Sequence, residues 1–391
     1  MSTTQGYVAE IPGLLVPEQV AVHGTVKLVR EWRGILSKDL AELMGVSPGY
    51  ISKIESGRAQ LMGPKLEAAA SALEVSPELL CRPVPVEPTE GTHFRSQSRT
   101  PQWQRNKVRA QANMVAFMLN KVVAEVGVEF PRNLPSHDVD RLSGGAVEAA
   151  QLVRSAWRIG DHVMDLAAEL ESAGVFILEM TAGMDAIDAI TVRTPGPVRA
   201  VVLLRPDVPE DRKRHSLAHE LGHLVMDLDS PHGGIKEVEQ RADLFAGEFL
   251  APYEELHDVL RGITPSQLQH VQALSTYWGV SIPSLIKRAH LHGDLTDQQY
   301  RYWFKVLNAR NLIRGPRDCS FPIQPRAAHD ALNSIRVEFG YSAAELKALT
   351  DVALSDWSHS MGSAWPFRPT RPKLHLVTTG DPASTPDAQF G

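Results

Sequence analysis

The sequence predicts a multidomain, mainly α protein with one α+β unit, and three observations carry that prediction. At 391 residues the chain is too long for one ordinary core, so two to three domains are expected. Apolar residues recur at helical spacing in the N-terminal and C-terminal thirds. Short branched-apolar runs, GVFILEM at 174–180, AIDAITVRT at 186–194 and VRAVVLL at 198–204, read as strands just ahead of a histidine-bearing helical stretch. The expected order is an N-terminal helix-turn-helix bundle, a small sheet with its helix, and a helical C-terminal region.

Composition narrows the function classes. An apolar content of 43% lets each domain bury a core. A formal charge of -6 argues against a surface coated in positive potential, while leaving room for one small nucleic-acid-binding module. Cys81 and Cys319 lie far apart and give neither a disulfide framework nor a C-x-x-C zinc site. The opening MSTTQGYVAEIPG lacks the basic start and apolar run of a secretion signal, and no run approaches a membrane span. A cytoplasmic protein without a membrane partner is expected.

Residues 1–19 read as a flexible lead-in. Between 20 and 82, Leu28, Leu36, Leu40, Leu43, Ile51, Ile54, Leu66, Leu73 and Leu79 mark four or five short helices. Ser37 and Ser47 are expected as N-caps, and Ser76-Pro77 opens the last helix. Ala41, Gly45 and Ile51 have helix-turn-helix spacing: a small residue for close approach, a glycine for the turn, and a branched residue to lock the second helix. Residues 48–56 then form the recognition helix. Ser47, Gly49, Tyr50, Ser52 and Lys53 face base edges, and Arg58 and Gln60 reach phosphate or base. Seven Lys/Arg against seven Asp/Glu over 20–80 suit a protein-binding bundle equally well. YISKIESGRAQL, however, resembles the signature of the Xre (phage-repressor-like) family, which implies a double-stranded DNA operator bound by a homodimer.

Residues 83–145 read as linker and helical connector. CRPVPVEPTEGT is proline-rich and semi-rigid, and His93-Phe94-Arg95 opens a helix-rich stretch. Residues 103–125 are expected as a long amphipathic helix, with Arg95, Arg99, Arg105, Lys107 and Arg109 on a solvated face. From Ala146 two further helices run to Gly174 as a C-cap.

The chemistry is concentrated in 146–256, within DRKRHSLAHELGHLVMDLD. His219 and His223 fall one turn apart on a helix, close enough to share a metal ion, and Glu220 lies beside them as general base. One protein ligand is missing. Met226 and Asp229 stand where a metzincin would place its glycine and third histidine, although Asp229 remains a weak ligand candidate. EVEQRADLFAGEFLAP offers the better source. Glu239 is assigned as third ligand, and Asp243, one turn on, accepts the far N–H of a ligating histidine. One Zn2+ per chain is expected, with His215 or Arg214 as further donors toward an oxyanion.

RHSLAHELGH followed by EQRADLFAGEFLAP resembles the ImmA/IrrE family of metallopeptidases from about 146 to 252. With the Xre-like module in front, the chain is similar to fused Xre–ImmA/IrrE regulators. The resemblance implies a zincin-like, gluzincin-type α+β domain with His219, His223 and Glu239 as ligands and Glu220 as catalytic acid and base. It further implies endopeptidase cleavage of a protein, such as a repressor, after stress. His215 and Arg241 depart from the family pattern and bear on substrate preference. The alternative is a non-catalytic repressor whose zinc domain is a sensor or dimerisation scaffold, possibly within phage immunity or a toxin–antitoxin pair.

Over 257–362 the chain reads as helical, and Ser275, Gly279 and Leu285 repeat the helix-turn-helix spacing. Lys287, Arg288 and His290 make the second helix of that unit basic, with packing support for the catalytic unit preferred over DNA contact. Helices follow at 300–312 and 327–354, with Trp303 and Phe304 as core. Residues 363–391 are proline-punctuated and expected as a disordered tail.

Overall fold

A computed structural model of the chain describes residues 19–86, 93–96, 100–180, 187–226, 234–313 and 321–367. The mainly helical prediction holds, with one small mixed sheet shared between two buried cores. None of the helices among the described residues is long and apolar enough to cross a membrane.

Five helices form the head: α1 (His23–Arg33), α2 (Ser37–Leu43), α3 (Pro48–Glu55), α4 (Gly63–Ala72) and α5 (Pro77–Cys81). Ala41 and Ile51 are buried where α2 and α3 meet, and Gly45 makes the turn at φ +64°, where a side chain is strained. Ser76 accepts the N–H of Leu79 and caps α5 as expected. Ser37 does not cap α2. It is the first residue inside the helix, because Leu36 holds the extended cap conformation. Ser47 occupies the cap position of α3 without a side-chain hydrogen bond.

The connector departs from expectation in two ways. Residues 93–96 form a strand, β1 (His93–Ser96), instead of opening a helix. Its partner is supplied from far downstream, so local propensity is overridden by backbone pairing. The helix α6 (Gln102–Val126) is not a solvated amphipathic surface. It is buried on every side from Val108 to Leu119, because it packs on α1 along one flank and on the sheet along another. Arg109, expected in solvent, is buried with its guanidinium 3.4 Å from Glu31, and Asn106 donates to the same carboxylate at 3.0 Å. Arg105 and Lys107 are half-buried, Arg99 lies outside the described residues, and the linker at 87–92 does too.

Two helices, α7 (Gly145–Ala156) and α8 (Leu166–Glu171), lead into β2 (Val175–Glu179), β3 (Ile187–Arg193) and β4 (Ala200–Leu204). The sheet order is β1-β3-β4-β2, with β2 parallel to β4 and the other two pairings antiparallel. Alternate residues separate the cores. Phe176, Leu178, Ile190, Val192, Val201 and Leu203 join α6, whereas Val175, Ile177, Ala189, Ala200, Val202 and Leu204 face the opposite side. Burial on both faces explains why these strands read as continuous apolar runs.

Against that second face lie α9 (Glu210–Val225) and α10 (Ile235–Leu250). The next helices are α11 (Tyr253–Leu260), α12 (Leu268–Trp278), α13 (Ile282–Leu291) and α14 (Asp297–Ala309). The helix-turn-helix spacing recurs in structure at α12–α13: Gly279 sits at φ +63° and Leu285 is buried. Arg288 is not part of a basic surface, because it is buried against Glu248 at 2.8 Å. Trp303 is fully buried and donates to the Ile263 carbonyl, while Phe304 is half-buried.

The chain then returns to the head through α15 (Ala327–Val337), α16 (Ala343–Thr350) and α17 (Leu354–Met361). Arg33 holds Asp356 by paired hydrogen bonds of 2.6 and 2.7 Å, and Arg82 holds Asp351. Trp365 and Phe367, assigned from sequence to a disordered tail, pack against this core, since two aromatic rings gain more from burial than from water. Residues 1–18 and 368–391 lie outside the described residues.

One titration tests this packing. Glu171 accepts the N–H groups of Arg326 and Ala327 at the start of α15, and burial pushes its carboxyl up to about 7 against those bonds. A folded-state pKa above the unfolded one means that the folded protein binds more protons between the two values. Stability contributed here is therefore present below about pH 4.5 and lost as pH rises toward about 7. Chemical denaturation followed from pH 5 to 8 is expected to fall with a slope approaching about one proton. Glu171→Gln flattens that slope; an unchanged slope contradicts the assignment.

Candidate metal centre

The centre is assembled by the contact between α9 and α10. Gly222 makes their close approach possible: a Cβ there would stand 3.1 Å from the Phe245 ring. On α9, His219 and His223 are buried one turn apart, with their Nε2 atoms 3.0 Å from each other. From α10, the carboxylate of Glu239 brings Oε2 to 3.3 Å from His219 Nε2 and Oε1 to 3.4 Å from His223 Nε2. These are three donor atoms drawn to one point, and a tetrahedral zinc with bonds of about 2.0–2.1 Å has ligand–ligand edges of about 3.3 Å. The donor set therefore fits a zinc ion in both chemistry and spacing.

Protonation agrees with ligation. Burial holds the His223 imidazole below its ordinary value, which keeps it neutral at pH 7. Burial pushes the Glu239 carboxyl up, but its hydrogen bonding with His219 and His223 outweighs this and holds it below the usual carboxylate range. Neutral imidazole and ionised carboxylate are the forms that bind metal. Asp243 Oδ1 lies 3.0 Å from His219 Nδ1, so the aspartate fixes the ring with Nε2 toward Glu239. The other Asp243 oxygen is 3.7 Å from Lys287 Nζ on α13. From sequence, Lys287 stands only on the basic second helix of the second helix-turn-helix unit.

Glu220 is fully buried, and its Oε2 accepts a 2.7 Å hydrogen bond from Thr191 Oγ1 on β3. Thr191 went unassigned from sequence. The available signal was a single hydroxyl on the strand face that otherwise carries Ala189, where burying it requires a partner. Arg193, two residues on, donates to the carbonyls of His223 and Leu224 at 3.2 and 2.9 Å and so holds the end of α9.

The remaining assignments divide. His215 is half-buried, with its ring centroid 6.5 Å from that of His219, and borders a cavity of about 290 Å³ that Asp243 and Lys287 also line. Arg214 does not suit an oxyanion role: it is buried, donates to the Val163 carbonyl at 2.8 Å and lies over the Phe321 ring. Arg241 pairs with Asp140 and Glu237 at 2.7 and 2.8 Å. Asp229, the alternative ligand, falls outside the described residues.

In the head, Ser47, Gly49, Ser52, Lys53 and Arg58 are exposed on and beside α3. Tyr50 is half-buried, its hydroxyl donating to the Gln60 carbonyl at 3.3 Å and its ring 4.5 Å from Lys65 Nζ.

Residues 26–80 match the helix-turn-helix family model, and residues 170–290 match that of the IrrE N-terminal-like domain, a peptidase family. No curated protein and no solved structure matches the chain. β1 and α6 lie between the two matched segments.

Metal analysis of purified variants checks the donor set. Glu239→Ala is expected to reduce zinc to background, and Asp243→Ala to weaken zinc affinity by about 10- to 100-fold. Full occupancy in Glu239→Ala contradicts its role as a ligand.

Proposed function

We propose that this chain, which joins an Xre-like helix-turn-helix domain to an ImmA/IrrE-like peptidase-family domain, is a transcriptional regulator with a zinc-dependent endopeptidase. Its partners are a double-stranded DNA operator, bound as a homodimer in the cytoplasm, and a protein substrate. That substrate is a partner repressor or the chain itself, cut in response to a signal. The observation that carries the reading is the convergence of His219, His223 and Glu239 beside a buried, hydroxyl-held Glu220.

When bound by those three residues, zinc supplies a Lewis acid that polarises a peptide carbonyl and makes water acidic. The chain's own residues supply the rest. Asp243 keeps His219 in the ligating tautomer. Glu220 takes a proton from the water that attacks the carbonyl carbon. It then gives that proton to the departing amine nitrogen as the C–N bond breaks. The Thr191 hydrogen bond keeps the carboxylate in one orientation, so little reorganisation accompanies proton transfer. The exposed residues of α3 suit major-groove contact, with Lys53 and Arg58 as the cations.

Comparing new protein N-termini in cells that carry wild type or Glu220→Gln identifies the substrate. The variant keeps zinc and loses at least about 100-fold of the cleavage rate. If no N-terminus depends on Glu220, the domain is a sensor or scaffold. On the substrate so found, Thr191→Val is expected to lower kcat about tenfold with KM and zinc unchanged, and Thr191→Ser to restore it. For the head, Tyr50→Ala with Lys53→Ala is expected to lose about 100-fold in affinity for genomic fragments that wild type retains in a gel shift. Undiminished retention moves recognition away from α3.

A further inference from the structure

β1 reaches the sheet from the connector, outside the segment that matches the peptidase family. It pairs antiparallel with β3 and covers the outer edge of that strand. This is the edge beside the catalytic helix. β3 holds Glu220 through Thr191 and the end of α9 through Arg193, and β1 itself packs against α9. In register, His93 stands directly opposite Thr191. The opposite edge of the sheet, β2, lies beside α15.

An exposed strand edge beside a hydrolytic site receives an extended polypeptide by adding it as one more strand, with main-chain hydrogen bonds supplying affinity. Here those main-chain groups are already engaged by residues 93–96. We propose that β1 is an internal occupant of the substrate edge: the chain's own linker shields the centre in cis, and a protein substrate enters as an extended strand by displacing it. The inference deepens the proteolytic reading and rests on that reading for its meaning.

The pairing is built for displacement. It spans four residues, and its register breaks between Arg95 and Ser96. Each ladder hydrogen bond contributes little net, because water competes for the same groups, so a longer strand with unbroken register competes successfully. Displacement is also placed to reach the head. α6 follows β1 directly in sequence, and its Asn106 and Arg109 both engage Glu31 of α1.

Peptide capture by the full chain tests this without turnover. The probe is a fluorescein-labelled peptide of the chain's own sequence from 90 to 99, EGTHFRSQSR. It is titrated into the zinc-loaded Glu220→Gln chain with and without Phe94→Pro and Arg95→Pro, adjacent positions of which one directs its N–H into the ladder, so that the pairing loses a donor whichever of the two it is. The proline variant is expected to bind the peptide at least about tenfold more tightly than the intact chain, by fluorescence polarisation. Hydrogen exchange should show β3 amides deprotected in that variant and protected again by the peptide. Equal affinity, or binding by neither chain, overturns the proposal. Should the proline variant lose zinc, Phe94→Gly with Arg95→Gly carries the same test, with the same ordering expected and the same outcomes overturning it. Because capture needs no catalysis, its failure leaves the proteolytic reading to the Glu220-dependent N-termini, and the two can fail separately.

Discussion

The close approach of α9 and α10 at Gly222 is the constraint on which the rest of the molecule depends. Without a side chain there, the Phe245 ring seats directly against α9, and Glu239 arrives over the two histidine nitrogens. A methyl group at this point would stand 3.1 Å from the Phe245 ring and force it to give by a few tenths of an ångström, within the contact whose separation sets the donor distances in the centre. The surrounding packing serves the same geometry. Apolar residues of the sheet, α7 and α11 surround the helix pair, and Arg193 fixes the end of α9. A centre that must hold three donors within tenths of an ångström is thereby carried on packed helices instead of on loops.

The sheet joins this centre to the head. One face supports α9, the other supports α6, and α6 packs on α1 of the helix-turn-helix bundle. The C-terminal helices close the same core through Arg33–Asp356 and Arg82–Asp351. Head and peptidase-family unit are therefore connected through buried side chains as well as through a linker. This gives a physical route by which displacements at the β3 edge reach α1, as the proposed regulator requires.

How much of this was legible in the sequence depended on the distance between interacting residues. The helix-turn-helix spacing of Ala41, Gly45 and Ile51, and the one-turn spacings of His219 with His223 and Glu239 with Asp243, could be read because helical periodicity fixes them locally. Thr191 could not, since its role exists only once β3 lies beside α9, 29 residues later in the chain. At β1 the sequence alone points to the start of a helix, because the strand conformation depends on an edge nearly a hundred residues downstream. Arg109 and Arg288 were assigned to basic surfaces for the same reason: their partners, Glu31 and Glu248, are remote in sequence and near in space. Trp365 and Phe367 were masked by the prolines around them.

The central claim is that His219, His223 and Glu239 together hold zinc, and X-ray absorption at the zinc edge of the purified full chain tests it most directly. The account predicts a shell of nitrogen and oxygen donors only, at about 2.0–2.2 Å, with the multiple-scattering signature of two imidazoles. A sulfur shell near about 2.3 Å, a signal from one imidazole or none, or a protein that retains no zinc would contradict it.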